Sequence, residues 1–188
     1  MVDVKKPTWK DVKTILTGKD NRELIKLVSD LYALGSANKT FIHARYSVGK
    51  ATLDPYKVII SDSLYPDVYK NKPIKLAVGR KAISDYFKAT KDELGKLALM
   101  FHYLEMGNQF TVEYGDIDEA FYSSLESMFE KITVILRQQP KVIQDEYVFR
   151  LGSVVESAQD IGWGYYDCID EIFEEFVDSI STNKIQKE

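Results

Sequence analysis

The chain of 188 residues has few cysteines, few histidines and no long apolar run, and each shortage excludes a class of protein. Cys168 is the only cysteine, so the chain can neither close an internal disulfide nor build a cysteine-rich zinc site. The longest uninterrupted apolar run, Leu97 to Phe101, has five residues, whereas a membrane-spanning helix needs about 20. Residues 1–17 hold no apolar stretch of the kind that secretory signals carry. The sequence therefore predicts a cytoplasmic protein that does not enter a membrane.

The common nucleotide-binding and hydrolase motifs are also missing. The sequence has no Gly-x-x-x-x-Gly-Lys-Ser/Thr loop, no Gly-x-Gly-x-x-Gly and no Gly-x-Ser-x-Gly turn. Its two histidines, His43 and His102, lie outside every Glu-x-x-His and His-Glu-x-x-His pattern, which argues against di-iron centres and zincin proteases. We therefore expect the protein to bind neither a metal ion nor a cofactor. The sequence does not identify catalytic residues.

Apolar residues recur at steps of three and four along most of the chain, which is the period of a helix with one buried face. Alternating runs of period two, which would indicate strands, are scarce. The predicted fold class is all-α, with eight or nine helices in a bundle or a short helical-hairpin array and more than half of the residues helical. The composition, 45% apolar and 29% charged, is typical of globular proteins.

Capping residues and turn signals predict where helices begin and end. Asp20 and Glu23 have the spacing of a capping box that opens a helix, and Gly35 ends it. The inner face of that helix is expected to consist of Leu24, Leu27, Val28, Leu31 and Leu34. A shorter helix follows, with three residues expected inward: Phe41, Ala44 and Val48. A second box at Thr90 and Glu93 predicts a helix buried along one seam by Leu94, Leu97, Phe101 and Leu104.

The length predicts one domain over residues 1–188. The longest irregular connection is the range 63–73, which contains Pro66, Asn71 and Pro73. Turn-forming residues at this density predict a loop rather than a helix. The range 63–73 is therefore the candidate subdomain boundary.

Charge is distributed unevenly along the chain. The first half carries 18 Lys and Arg against 11 Asp and Glu, a formal +7, and the second half carries 7 against 18, a formal −11. The excess of bases concentrates in the range Lys70–Lys91, here called the basic segment, where Asp85 is the only acid. Such a segment attracts phosphate when it is exposed, and Arg80 and Lys81 are its candidate binding residues. The alternative is that it offsets the acidic half of the same molecule.

The excess of acids is strongest in the predicted last helix. Its acidic stripe consists of Asp167, Asp170, Glu171, Glu174, Glu175 and Asp178. Like charges at helical spacing repel by roughly 0.3 kcal/mol per pair, so the basic segment, a basic partner or divalent cations should compensate them. The alternative is a plainly solvated face, which is the commonest role of such a stripe. We predict that the acidic stripe and the basic segment are neighbours. Nucleic-acid affinity should then be weak at physiological salt.

Two short sequences hold the remaining candidates for binding residues. In NKTFIHARYS, His43 and Arg45 are two positions apart, so they diverge by about 200° around a helix and do not form one site by themselves. In GWGYYD, the candidates Trp163, Tyr166 and Asp167 lie with Tyr165 at a helix start. This composition suits either a buried corner, which we favour, or an interaction hot spot.

One group of residues could serve an enzyme of unrecognised type. His102 and Glu105 are three positions apart, and Tyr103 lies between them. This spacing permits a shared metal, although a helical histidine beside an apolar run is more often a packed residue. Cys168 lies in an acidic helix segment, which raises the pKa of a thiol and argues against a nucleophilic role.

Three segments, RELIKLVSDLYALGSANKTFIHARYS, EYGDIDEAFYSSLESMFEKI and GWGYYDCIDEIF, resemble an uncharacterised family of small all-helical bacterial proteins. The resemblance extends roughly from Asp20 to Phe176. It implies an all-helical bacterial protein, and it carries over neither an activity nor catalytic residues.

The absence of catalytic motifs and the uneven charge favour one functional hypothesis over two others. The favoured hypothesis is a non-enzymatic helical module that binds a protein partner through its charged or aromatic faces. The alternatives are a nucleic-acid-binding protein that uses the basic segment and an enzyme of unrecognised type. The sequence leaves the oligomeric state open.

Overall fold

The computed structural model describes residues 6–49 and 52–185 of the chain. Over these residues the chain forms nine α-helices and no strand, and 78% of it is helical, so the predicted all-α class is confirmed. The helices are α1 (Trp9–Thr17), α2 (Asn21–Leu34), α3 (Ser36–Arg45), α4 (Asp54–Leu64), α5 (Leu76–Thr90), α6 (Glu93–Tyr114), α7 (Glu119–Leu136), α8 (Lys141–Ser157) and α9 (Tyr165–Ile185). None of the described helices has both the length and the apolar character needed to cross a bilayer.

The two predicted capping boxes have different outcomes. At the start of α2, Glu23 N donates to Asp20 Oδ1 at 2.8 Å and Asp20 N donates to the Glu23 carboxylate at 3.2 Å, so this box is confirmed. At the start of α6 the cap is Asp92, whose carboxylate accepts a hydrogen bond from Gly95 N at 3.0 Å. The predicted box at Thr90 is wrong, because the nearer aspartate satisfies the free N–H groups of the first turn.

The chain divides into two compact units, Met1–Gly49 and Lys50–Glu188. The candidate boundary at 63–73 lies inside the second unit. Two hydrogen bonds hold this connection: Lys75 N donates to Ser63 O at 2.8 Å, and Tyr65 Oη donates to the Glu113 carboxylate. The connection therefore ties α4 to α5 and α6, and the division of the chain falls earlier, at Gly49.

The N-terminal unit consists of α1, α2 and α3 and encloses almost no side chain. Ala44 is its only buried residue among those described. Phe41 and Val48 are 37% and 55% exposed, and the leucine face of α2 is open to solvent for most of its length. Ala44 is buried as predicted and Leu24 is half-buried, whereas the other predicted inward positions are exposed, because three short helices have too little mass to enclose them.

The central helix of the C-terminal unit is α6. It packs against α4, α5, α7 and α8, while α9 packs against α7 and α8. Because α6 has neighbours on several sides, buried residues occur all around it, including Leu97, Leu99, Met100, Phe101, Tyr103 and Leu104. The predicted single seam is too narrow, and Leu94, which was assigned to it, is 47% exposed.

Candidate functional site

The N-terminal unit presents an apolar helix surface to solvent. Five residues fall within about one third of the α2 circumference at 100° per residue, and they are called the α2 apolar face: Leu24, Leu27, Val28, Leu31 and Leu34. Leu34 is 78% exposed, Val28 50% and Leu31 45%. Trp9, on α1, is 69% exposed as well. A contiguous set of exposed aliphatic side chains is typical of an interaction surface.

The N-terminal unit is also basic. It carries nine Lys and Arg against five Asp and Glu, which leaves a formal +4. One of the acids on α2, Glu23, is already paired, with its carboxylate 2.7 Å from Lys19 Nζ. The field around the unit therefore favours approach of an acidic surface.

Of the two predicted binding residues His43 and Arg45, His43 links α3 to α2, whereas Arg45 packs on a ring of its own helix. His43 Nε2 lies 2.9 Å from the Tyr32 hydroxyl, and the two rings are 5.6 Å apart between centroids. The Arg45 guanidinium lies over the Phe41 ring, 5.0 Å from its centroid. The two side chains have different partners, so the structure does not bring them together in one site.

Arg80 and Lys81 are adjacent in the sequence but face different surroundings. Lys81 pairs with Asp85 one turn later on α5, and its side chain is 71% exposed. Arg80 is half-buried, and its Nη2 donates to the backbone oxygen of Ser124 on α7 at 3.0 Å. Of the two predicted binding residues, only Arg80 faces a neighbouring helix.

The acids that pair with the basic segment are close to it in sequence. Lys70 Nζ lies 3.0 Å from the Asp67 carboxylate, and Lys81 and Lys88 both pair with Asp85. In the part of the chain that the structure describes, none of these ion pairs involves the acidic stripe of α9. The helix α5 packs on α4 and α6, whereas α9 packs on α7 and α8. Lys70 and Lys81 therefore pair with nearby acids, and for the rest of the basic segment the pairing with the acidic stripe stays a prediction.

Some aromatic residues at the start of α9 are buried and others are exposed. Tyr165 is fully buried. Trp163 is 61% exposed and stacks on the Tyr122 ring, with centroids 6.5 Å apart. Tyr166 is half-buried, and Asp167 is exposed in the first turn of α9. Within this cluster Tyr165 forms the predicted buried corner, while Trp163 and Asp167 remain accessible.

His102, Tyr103 and Glu105 point to three different partners. His102 Nε2 lies 2.8 Å from Ser61 Oγ on α4, and the buried Tyr103 hydroxyl lies 2.7 Å from Ser124 Oγ on α7. The Glu105 carboxylate is paired elsewhere, with an arginine of α8. The centre that the enzyme hypothesis requires is therefore not assembled. Among the described residues, no group of three or more His, Cys, Asp and Glu is arranged to hold a metal ion.

The burial of His102 predicts a specific pH dependence of stability. Burial lowers the pKa of this imidazole, and the nearby Lys57 and Arg150 charges act in the same direction, against the Lys57 carbonyl and Glu105. The unfolded chain therefore binds the proton more readily than the folded chain does. As the pH falls through about 6.5, the free energy of unfolding should decrease, and the decrease should stop below the folded-state pKa.

This prediction is measured by urea unfolding of the wild-type protein and of His102→Gln at about pH 7.5 and about pH 5.5. Removing the imidazole changes stability at both pH values, so the informative quantity is the difference between them for each protein. We expect that difference to be smaller in His102→Gln. An equal difference in both proteins would show that other groups cause the pH dependence.

A groove of about 310 Å³ between α6 and α8 was not predicted from the sequence. Arg150 donates two hydrogen bonds to Glu105 Oε1, from Nη2 at 2.7 Å and from Nε at 2.9 Å. Buried Asn108 donates to Ser157 Oγ at 2.8 Å and accepts from the Tyr165 hydroxyl at 3.2 Å. These polar groups satisfy one another across the groove, which is typical of a packing contact between helices.

Cys168 is the only thiol, and its surroundings disfavour nucleophilic chemistry as predicted. Burial raises the pKa of this thiol, and the carboxylates of Glu126, Glu171 and Glu130 add to the increase. A thiol with a raised pKa is mostly protonated near neutral pH, and only the thiolate is a strong nucleophile. Cys168 is half-buried against α7 and α9 neighbours, as expected of a small packing residue.

Comparison of the chain with protein-family models, with curated proteins and with solved structures found no match. The resemblance to an uncharacterised bacterial family therefore stays an expectation from the sequence.

Proposed function

We propose that the protein is a non-enzymatic binding module whose N-terminal unit holds an amphipathic helical segment of another protein. The observation that carries this proposal is the exposure of Leu27, Val28, Leu31 and Leu34 on the α2 apolar face, in a unit that buries only Ala44 among its described residues. Apolar side chains at positions i, i+3, i+4 and i+7 form the kind of ridge that a partner helix covers.

The expected contribution of this face is large enough to support binding. Complete burial of a leucine or valine side chain contributes roughly 1.5 to 3 kcal/mol. Several such residues act together on α2. Association costs reduce the sum, so we expect an affinity set by a few central leucines.

The charge of the unit selects the chemistry of the partner. A formal +4 favours a segment whose polar positions are acidic, because opposite charges accelerate encounter and like charges oppose it. The preferred segment is therefore a helix with leucines on one side and carboxylates around them. Binding should weaken as the salt concentration rises.

The proposal predicts that a synthetic helix of leucine and glutamate, about 20 residues long, binds the full chain. A peptide of the same leucine pattern with lysine in place of glutamate should bind at least about tenfold more weakly. The double variant Leu27→Glu with Leu31→Glu should bind the glutamate peptide at least about tenfold more weakly than the wild-type chain does, because each change places a carboxylate in the apolar contact. Fluorescence anisotropy of the labelled peptides measures all three.

Matched controls distinguish this surface from exposed apolar residues in general. Val142→Glu combined with Phe149→Glu makes the same kind of change on α8, where these side chains are 73% and 78% exposed, and should leave binding unchanged. The proposal fails if the two double variants lose equal affinity, or if Leu27→Glu with Leu31→Glu unfolds the chain. It also fails if sedimentation shows that the wild-type chain is a dimer and that only the double variant Leu27→Glu with Leu31→Glu is a monomer. The α2 apolar face would then be covered by a second copy of the chain.

A further inference from the structure

A second concave surface lies between α5 and α7. It has a volume of about 450 Å³ and is called the Arg80 groove. Its lining consists of Leu76, Ala77, Arg80, Ala120, Ser123, Ser124 and Ser127. This volume lies within the usual range for small-molecule sites, and the lining contains no acid.

Arg80 has hydrogen-bonding capacity that the described protein residues do not use. Its Nη2 donates to Ser124 O at 3.0 Å, which orients the guanidinium against α7. Its Nε is buried and has no hydrogen-bond partner, and none of the ion pairs in the described residues includes Arg80. An unmet buried donor on a cation is costly, and an anion near the guanidinium offsets that cost electrostatically.

The α7 wall of the groove adds further donors. Ser123 is exposed, and Ser127 Oγ accepts a hydrogen bond from Lys131 Nζ, one turn later on α7, at 2.9 Å. Ser124 Oγ is engaged with the Tyr103 hydroxyl at 2.7 Å, which fixes this part of the wall. The groove therefore combines the Arg80 guanidinium with the hydroxyls of Ser123 and Ser127.

The α5 wall of the groove is electropositive as well. The first turn of α5, which includes Leu76 and Ala77, contains no acidic residue and no side-chain cap. Its N–H groups carry the positive end of the helix dipole. Alone this would not define a site, but here it lies beside an arginine without a carboxylate partner.

We propose that the Arg80 groove binds the phosphate group of a small phosphorylated molecule. Donors on both walls suit a tetrahedral anion with several oxygens better than a planar carboxylate, which offers only two. The neighbouring groove volume leaves room for the rest of a small ligand. This proposal is independent of the α2 apolar face, which lies in the other unit.

The probes are inorganic phosphate, phenyl phosphate and acetate, added separately to the full chain and followed by ¹H–¹⁵N spectra. We expect saturable shifts of the amides of Leu76, Ala77 and Ser123 with the two phosphates, with a Kd of about 1 mM or below. Phenyl phosphate should bind more tightly than inorganic phosphate if the groove holds the remainder of the ligand. Acetate should shift the same amides at least about tenfold more weakly.

Two variants and one matched control test the role of the groove. Arg80→Gln should weaken phosphate binding by at least about tenfold. Lys81→Gln removes the same charge at the next position, outside the groove, and should change the affinity by less than about twofold. Ser123→Asp places a carboxylate at an exposed position of the wall and should also abolish binding, so the test does not depend on the folding of the Arg80 variant.

Three results would overturn the proposal. The first is equal loss of affinity in Arg80→Gln and Lys81→Gln, which would indicate unspecific attraction to the basic segment. The second is the absence of saturable shifts with either phosphate. The third is salt-sensitive binding of short RNA or DNA duplexes with a higher affinity than that of phenyl phosphate. If Arg80→Gln and Lys81→Gln both abolish that binding, the basic segment binds nucleic acid.

Discussion

Phe101→Ala is expected to lower the free energy of unfolding of the C-terminal unit by about 3 to 5 kcal/mol. Phe101 is fully buried on α6, its ring centroid is 4.5 Å from that of Tyr147, and the Arg150 guanidinium lies 4.7 Å from the same centroid. Truncation removes apolar contacts, leaves a cavity between α6 and α8 and withdraws the surface that supports the guanidinium. Urea unfolding followed by circular dichroism measures the effect.

Phe149→Ala is the matched control for this prediction. Phe149 lies on α8 and is 78% exposed, so the same truncation creates no cavity and should change stability by less than about 0.5 kcal/mol. A loss below about 1 kcal/mol in Phe101→Ala would mean that the contact between α6 and α8 is not packed as described.

Gly107→Leu is expected to destabilise the same unit by about 3 kcal/mol or to prevent its folding. A Cβ atom at Gly107 would collide with Leu125 Cδ2 on α7 and would lie 3.2 Å from Leu64 Cδ2 on α4. Leu125 and Leu64 are both fully buried, so neither can move away without displacing further core residues. The absence of a side chain at Gly107 is what lets α6 approach two helices at once.

Gly152→Ala is the control for the glycine prediction. A Cβ atom at Gly152 would meet Phe173 Cζ at 3.4 Å, which is an ordinary van der Waals contact. Alanine is favoured over glycine in a helix, so this variant should gain up to about 1 kcal/mol in urea unfolding. If Gly107→Leu and Gly152→Ala had the same effect, close helix approach at Gly107 would not be the cause.

Local patterns were sufficient to predict the all-α class, but they predicted neither α1 nor which helices pack together. The capping box at Asp20 depends on residues three positions apart, and it was predicted correctly. The seam assigned to α6 was too narrow, because periodicity indicates one buried side and α6 is covered on several. The leucines of α2 follow the pattern of a core helix, yet the pattern does not show whether the core belongs to the same chain.

The sites required information that only the folded chain contains. Arg80 was a candidate because of its charge, but the serines that complete its groove lie more than 40 positions away on another helix. His102 and Glu105 have a spacing that suits a shared ligand. In the structure His102 instead forms a hydrogen bond with α4, Glu105 forms an ion pair with α8, and both helices are far from these residues in the sequence. Pairings of this kind cannot be predicted from spacing along one helix.

The central position of α6 also orders events during synthesis of the protein. The helices α4 and α5 leave the ribosome before α6, and α7 and α8 leave after it. Synthesis of the 43 residues that follow Tyr114 and end at Ser157 takes about 2 to 9 s at roughly 5 to 20 residues per second. Helical domains fold within microseconds to milliseconds, which is faster than this synthesis. The rate of chain elongation therefore sets how long the side of α6 that carries Phe101 remains exposed before α8 can pack on it. During those seconds the nascent chain presents an apolar helix to chaperones.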